Sequence, residues 1–466
     1  MNIHAISRSL AAATSLLAVP VMAAEKFGPL ELSGFAKEEY SSCDNCSPGL
    51  LNPSPYDPRG VLFNTSTGPN PVPLPKLNQA SAFNGHVGSN LGLIQLTARL
   101  SHEFDNAVSI EAVGSGRERN GAEDIPGRYV VDAYLGVAHP RRGTLRIGTM
   151  TSRSWSRSDS FAYPLGLSNS WALSGAGYGV FPKAIRYSSR LFEVPLGKLA
   201  LEASYAMSGK QDPINYATLK VGNPFEIEPP RPKLVELFAQ FSNQKNLVEL
   251  IFQTARGGVQ SSFGQSPFVG SQGNTESPAT TPGYRTPTQD VLILQGTYYR
   301  DEHWRLSYGA RRSEWSGLQQ QCDFGTFNPV PATGPKQGCF YDQGGWNYAQ
   351  DGGMHHAIEY DQMLGVAYLR KLWVFTAGAV QMDRAFTHSP TEFGQSNRAT
   401  FVNLGVYRKV PELSQYMEIY GGAARVMFWR PGPAPLSMPG NLAFFGADPR
   451  VVKWANGFTI GANFVF

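Results

Sequence analysis

The chain ends Gly457-Phe458-Thr459-Ile460-Gly461-Ala462-Asn463-Phe464-Val465-Phe466. Phe458, Ile460, Ala462, Phe464 and Phe466 share one face at period two, while Gly457, Thr459, Gly461 and Asn463 share the other. As the edge strand of a soluble sheet, so greasy a face would template aggregation. The same pattern suits the closing strand of a membrane barrel, which turns apolar side chains to lipid and small or polar ones inward.

The opposite end fits that compartment. Arg8 sits in a short leading region, Leu10 to Val21 is an apolar core, and Val21-Met22-Ala23 supplies small residues for cleavage. Residues 1–23 therefore read as a removed secretory signal and residues 24–466 as the mature barrel. The apolar core falls short of the ~20 residues a spanning helix needs, and no later stretch approaches that length, so only a closed barrel could cross a bilayer.

Composition is consistent with this. Charged residues are 16% of the chain, below the roughly 25% usual for soluble domains. Mean hydropathy is only −0.25, as expected if alternate residues of each strand face water. Without Arg8 the chain carries 39 basic against 36 acidic residues, a net charge of +3 that is too small to suggest a nucleic-acid partner.

Inward from the ends, strand pairs alternate with long connections. Ile94 to Phe104 and Val108 to Ala112 alternate apolar with polar residues around Asp105-Asn106, which is hairpin turn chemistry. The pattern recurs in Tyr129 to Ala138 with Thr144 to Met150, Lys183 to Arg190 with Lys198 to Met207, and Leu234 to Ser242 with Asn246 to Ala255. It continues in Val291 to Tyr299 with Trp304 to Arg312, Met363 to Leu369 with Trp373 to Gln381, and Ala399 to Tyr407 with Gln415 to Ala423. Leu30 to Tyr40 and Lys453 to Phe466 complete an all-β fold: a transmembrane antiparallel β-barrel of about 16 strands, an even number as such barrels require. Between the pairs lie segments rich in Gly, Pro, Ser and Asn, at 41–82, 118–127, 151–182, 208–231, 257–290, 313–354, 384–397 and 428–451. These are expected to be extracellular loops, with short turns and both termini periplasmic. Lipid-facing parity places Phe104, Phe241, Trp304, Trp373, Tyr416, Phe464 and Phe466 beside the short turns as an aromatic girdle.

Four cysteines suit an oxidising compartment. Cys43 and Cys46 form C-x-x-C in a predicted loop, and Cys322 and Cys339 bracket another. No second ligand pair for zinc and no βαβ context for a redox motif accompanies them, so the preferred pairing is 43 with 46 and 322 with 339, with cross-pairing and free thiols open.

Asp132-Ala133-Tyr134-Leu135-Gly136-Val137 followed by Gly143-Thr144-Leu145-Arg146-Ile147-Gly148 resembles the fourth and fifth strands of the Gram-negative general porins, betaproteobacterial type. Ala184 to Ser189 is similar to their sixth strand, Gly88 to Gly92 to their second, and the Phe466 ending to their last. Asn90 stands where that family often has Arg, and Thr149-Met150 replaces its Arg-Gln. The resemblance implies an outer-membrane homotrimer, a third loop from Thr151 to Pro182 folded into the lumen, and a Phe464 and Phe466 signal read by the barrel-assembly machinery. It also implies passive passage of small hydrophilic solutes and ions without a cofactor.

Candidate pore-lining residues follow. Arg153, Arg157 and Asp159 belong to that loop. Inward parity puts Arg99, Arg146, Arg186 and Arg311 on the wall beside Glu111, Asp132, Glu202 and Glu249. Opposed charges across a narrow wet gap sort solutes by sign and dipole, whereas the same charges as cross-strand ion pairs would only brace the wall. Mixed signs leave selectivity undecided. The chain lacks the G-x-S-x-G, H-E-x-x-H, Walker and calcium-loop signatures, so no enzyme or metal site is expected. The readings kept open are a substrate-specific channel with a loop-built vestibule, an outer-membrane hydrolase, and a barrel sheath around an electron-transfer partner. That last reading is prompted by the C-x-x-C, which Ser47 prevents from being a haem site.

Overall fold

A computed structural model describes residues 25–46, 85–119, 128–158, 180–206, 233–256, 288–316, 321–322, 339–340, 356–384, 398–430 and 453–466. Sixteen long strands form the wall. They are β1 Leu30–Cys46, β2 Gly85–Glu103, β3 Ser109–Arg119, β4 Arg128–His139, β5 Gly143–Thr151, β6 Val180–Ser188, β7 Gly197–Ala206 and β8 Lys233–Ser242. They continue with β9 Asn246–Arg256, β10 Thr288–Tyr299, β11 Trp304–Ser316, β12 His356–Arg370, β13 Trp373–Met382, β14 Ala399–Lys409, β15 Met417–Phe428 and β16 Trp454–Val465. Each pairs antiparallel with the next, and β1 pairs with β16, so the sheet closes on itself. The short strands Glu25–Phe27 and Phe192–Val194 pair antiparallel with the starts of β1 and β7 at the short-turn end.

Closure removes the free edge that lipid would not tolerate. The seam runs from Phe35 opposite Val465 to Asp44 opposite Asn456. The terminal residue continues it, since Gly34 N donates to Phe466 O at 2.8 Å and Phe466 N donates to Gly34 O at 3.1 Å. Inside the seam Glu39 accepts from Lys37 Nζ at 3.2 Å, Ser41 Oγ at 2.9 Å and Tyr420 Oη at 2.8 Å. Two strands, β1 and β15, are thus tied at one carboxylate across the intervening β16.

The period-two reading sorts the two faces. Leu135, Leu364, Leu404 and Ile460 are 68%, 69%, 64% and 66% exposed on the outside, far more apolar surface than a water-soluble protein leaves bare. Inward positions of the wall include Glu202, Glu236, Arg311 and Asn463, all buried. The aromatic girdle is present: Phe104, Trp304, Trp373 and Phe464 are exposed, and Phe464 packs against Tyr416 and Phe466 with ring centroids 5.6 and 6.0 Å apart. Both described chain ends lie at the short-turn end with them.

Short turns are closed by local chemistry. Asn243 Oδ1 accepts from the amides of Lys245 and Asn246, and Asp301 Oδ1 from those of His303 and Trp304, each an Asx turn. Those two amides hold the exposed Asp301 carboxyl below its ordinary value. Gly143, with φ +92°, lies so close to β6 that a Cβ would stand 2.2 Å from Ser188 O, and only glycine fits.

One element corrects the sequence reading. Cys43 and Cys46 lie not in a loop but at the end of β1, whose polar run from Ser41 pairs with Gly85 to Ser89. Ladder hydrogen bonds carry the strand beyond the apolar band, where side chains need no longer be greasy. The register skips Asn45, which has φ +61°, so positions 43 and 46 are only two ladder steps apart. Cys43 is disulfide-bonded, and Cys322 lies directly opposite Cys339 in a two-stranded ladder.

Candidate functional site

Where β5 ends, the chain turns into a helix, α1 Arg153–Ser158, that is held against the inner wall. Below it lies an apolar bed of Met150, Phe181, Ala184, Ala206, Leu234 and Ala255. Above that bed the contacts are ionic. Arg153 grips Glu202 with both arms of its guanidinium, Nε to Oε1 and Nη2 to Oε2, each 2.7 Å. Such fork-to-fork pairing fixes direction as well as charge. The Glu236 carboxylate, on β8, accepts from the amides of Arg153 at 2.6 Å and Ser154 at 3.2 Å, the donors a helix start leaves unpaired. Gln253 on β9 donates to Ser154 Oγ at 2.8 Å and to Glu236 Oε2 at 3.0 Å.

Arg186 on β6 completes this knot. Its Nη2 donates to Thr151 O at 2.7 Å and its Nε to Ser204 Oγ at 2.7 Å, with Glu202 at 3.3 Å and Glu236 at 3.8 Å as counter-charges. Asp132 accepts from Thr151 N at 2.8 Å, holding the other side of the same turn.

A second group continues the first toward the short turns. Glu111 on β3 lies between Arg99 Nη2 at 2.8 Å and Arg146 Nε at 2.9 Å. Gly136 makes room for it: a Cβ there would stand 2.8 Å from the Glu111 carboxylate. Arg146 Nη1 donates to Ser188 Oγ at 3.1 Å, and Ser188 donates onward to Glu202 at 2.7 Å. The result is one continuous ribbon, Arg99 to Glu111 to Arg146 to Ser188 to Glu202 to Arg153, across the inside of β2–β8. Its four arginines, Arg99, Arg146, Arg153 and Arg186, face Glu111, Asp132, Glu202 and Glu236.

The structure thus brings Arg99, Glu111, Asp132, Arg146, Arg153, Arg186 and Glu202 into one network. Glu249 sits beside it, accepting from Gln240 at 2.7 Å and Gln295 at 2.8 Å. Arg311 lies apart on β11, where it donates twice to Asp361 on β12, at 2.9 Å from Nε and 2.6 Å from Nη2. Arg157 belongs to α1, but its side chain, like Asp159 and the rest of the loop to residue 179, lies outside the described residues. Sequence reasoning missed Glu236, although inward parity in Leu234 to Ser242 marks it as clearly as Glu202, and it missed the serines and glutamines that relay between charges. Among the described residues no group of three His, Cys, Asp or Glu could hold a metal ion, and no helix is long and apolar enough to cross a membrane.

Comparison with solved structures places the chain beside bacterial porins. The anion-selective porin from Comamonas acidovorans superposes with a TM-score of 0.51 at 11% identity, over 94% of this chain and 99% of that one. A loop-deletion variant of OmpT, an outer-membrane protein of Vibrio cholerae, gives 0.49 at 12% identity over 94% and 99%. A mutant of the Rh. blastica porin gives 0.45 at 10% identity over 94% and 100%. No family model matches the chain, and no curated protein is similar to it. At such an identity the likeness to the Comamonas acidovorans porin shows the fold, a closed sixteen-stranded antiparallel barrel.

Proposed function

We propose that the chain is an outer-membrane porin of the general type, a water-filled channel through which small hydrophilic solutes and ions diffuse passively. The observation that carries this reading is the sorting of side chains by a closed sixteen-stranded wall: apolar residues outside, a charged ribbon inside. A barrel of this strand number is wide enough for an aqueous bore. α1, pinned to the inner wall by Glu202 and Glu236, starts the third loop in the right place to narrow that bore, with Arg153, Arg157 and Asp159 among the residues that would face the solute. In the cell the short-turn end and both termini face the periplasm, residues 1–23 having been removed. Phe464 and Phe466 form the closing-strand signal for the assembly machinery. Cys43 pairs with Cys46 and Cys322 with Cys339.

The partner we propose for the outer wall is further copies of the same chain, in a trimer. A groove of about 580 Å³ opens on the outside between Phe464, Met417 and Ile94, and Glu38 and Glu118 line it. Glu38 is exposed there, opposite Ala462 and between the levels of Ile460 and Phe464. A carboxylate facing lipid within the apolar band is costly, and a neighbouring subunit over this face removes that cost.

The test is electrical. Purified protein added to a planar bilayer in potassium chloride is expected to give stepwise conductance, with steps in groups of three. Protein that inserts, shown by heat-modifiable mobility, yet conducts no ions would overturn the channel reading.

A further inference from the structure

Charges crowd the inner faces of β2–β9, whereas β13 is uncharged inside and β14 is too, apart from Lys409 at its short-turn end. The pairing register sets Tyr299, Arg305, Ala367, Thr376 and Gly405 in a single row across β10–β14. Ser307, Gly365, Gly378 and Asn403 form the next row, farther from the short turns. In the second row Gly365 and Gly378 leave a hollow three strand spacings wide, or roughly 14 Å, between Ser307 and Asn403, and in the first only Ala367 stands between Arg305 and Thr376.

Polar groups without partners surround it. Arg305 Nε, Thr376 Oγ1 and Asn403 Nδ2 are buried and hydrogen-bond to nothing. Arg305 is 6% exposed and Asn403 4%. Among the described residues Arg305 forms no ion pair, and its guanidinium carbon lies 5.6 Å from the Tyr299 ring centroid. It differs in this from Arg99, Arg146, Arg153, Arg186 and Arg311, each of which has a carboxylate. A buried guanidinium without a counter-charge is costly to keep, and all three unpaired groups can donate.

We propose that this hollow is a docking station for the oxyanion of a small solute, a carboxylate or a phosphate group, gripped by Arg305 and received by Thr376 and Asn403. The planar guanidinium presents parallel donors that match two oxygens of such a group, which chloride cannot match. Its place in the wall, two residues beyond the turn of residues 300–303, makes it the station nearest the short-turn mouth on this side. Weak binding there raises the local concentration of the solute without trapping it. This inference rests on the channel reading.

The experiment measures current through bilayer-inserted protein in rising concentrations of sodium phosphate and of sodium acetate, with potassium chloride as reference. With at least one of the two oxyanions the current is expected to saturate. Arg305→Gln should raise the half-saturating concentration roughly tenfold and Thr376→Val about threefold. Arg305→Lys, which keeps the charge and loses the fork, should fall between wild type and Arg305→Gln. Saturation with phosphate alone or acetate alone supports the station and names its preferred oxyanion. Linear current with both, or half-saturation unmoved in Arg305→Gln, overturns it. If Arg305→Gln fails to assemble, Thr376→Val and Asn403→Ala carry the same test. Loss of all potassium chloride steps in wild type would instead overturn the channel reading.

Discussion

Replacing Arg153 by glutamate should release α1 from the barrel wall. In the native protein the Arg153 guanidinium makes two 2.7 Å hydrogen bonds to Glu202, and the Glu236 carboxylate receives the first two helix amides. The substitution removes the cation that, among the described residues, reaches from the helix to Glu202, and it sets a third carboxylate beside two buried ones. Losing these charge-assisted bonds to a buried glutamate costs about 1.5–3 kcal/mol, enough to lower the ratio of attached to detached helix more than tenfold. The bore also becomes two charges more negative at that level. Single-channel conductance is therefore expected to change and to become noisier, and the reversal potential under a salt gradient should move toward cations. Arg153→Gln, which removes the charge without reversing it, should shift the potential less. Unchanged conductance and reversal potential in Arg153→Glu would place the anchor of the loop elsewhere.

Asp361→Ala should produce the largest loss of stability. Arg311 and Asp361 face each other directly across β11 and β12, with side chains 1% and 0% exposed and 2.6 Å between them. Without Asp361 a guanidinium is left inside the wall opposite a methyl group, at a cost of about 3–5 kcal/mol. Urea titration of the protein in lipid vesicles, followed by tryptophan fluorescence, should show the transition moving to lower urea. The double variant Arg311→Met with Asp361→Leu, apolar and of similar volume, should recover most of the loss, because burying two charges gains little over burying none. Equal midpoints for wild type and Asp361→Ala would mean that water reaches Arg311 freely.

The barrel was legible because its strands obey a rule of two. Once Phe458, Ile460 and Phe464 are assigned to lipid, the parity of every other strand follows from its own apolar residues, and Arg99, Glu111, Arg186, Glu202 and Arg311 fall inside. What each of them touches was not legible. Contacts across strands depend on register, and register shifts at the bulges between Ser115 and Gly116 and between Gly148 and Met150, which leave no periodic trace. Arg146 and Arg153 each meet a carboxylate more than thirty residues away in sequence, and the relay between Arg146 and Glu202 is Ser188, which parity marks only as one more small inward residue. The far end of β1 was hidden for a different reason. Ser41 to Cys46 has the composition of a loop, and only its ladder with β2 makes it a strand.

The central claim is that one face of every strand meets lipid and the other meets the bore. Spin labels placed one at a time at Leu135, Ile147, Leu364, Leu404 and Ile460, and at their strand neighbours Gly136, Arg146, Gly365, Gly405 and Gly461, test it directly in reconstituted vesicles. The first five labels should be relaxed by oxygen dissolved in the bilayer and shielded from a water-soluble nickel complex, and the second five should show oxygen contact reduced. Equal oxygen access at both members of each pair, or nickel access at the first five, would contradict a closed barrel with its apolar face in the membrane.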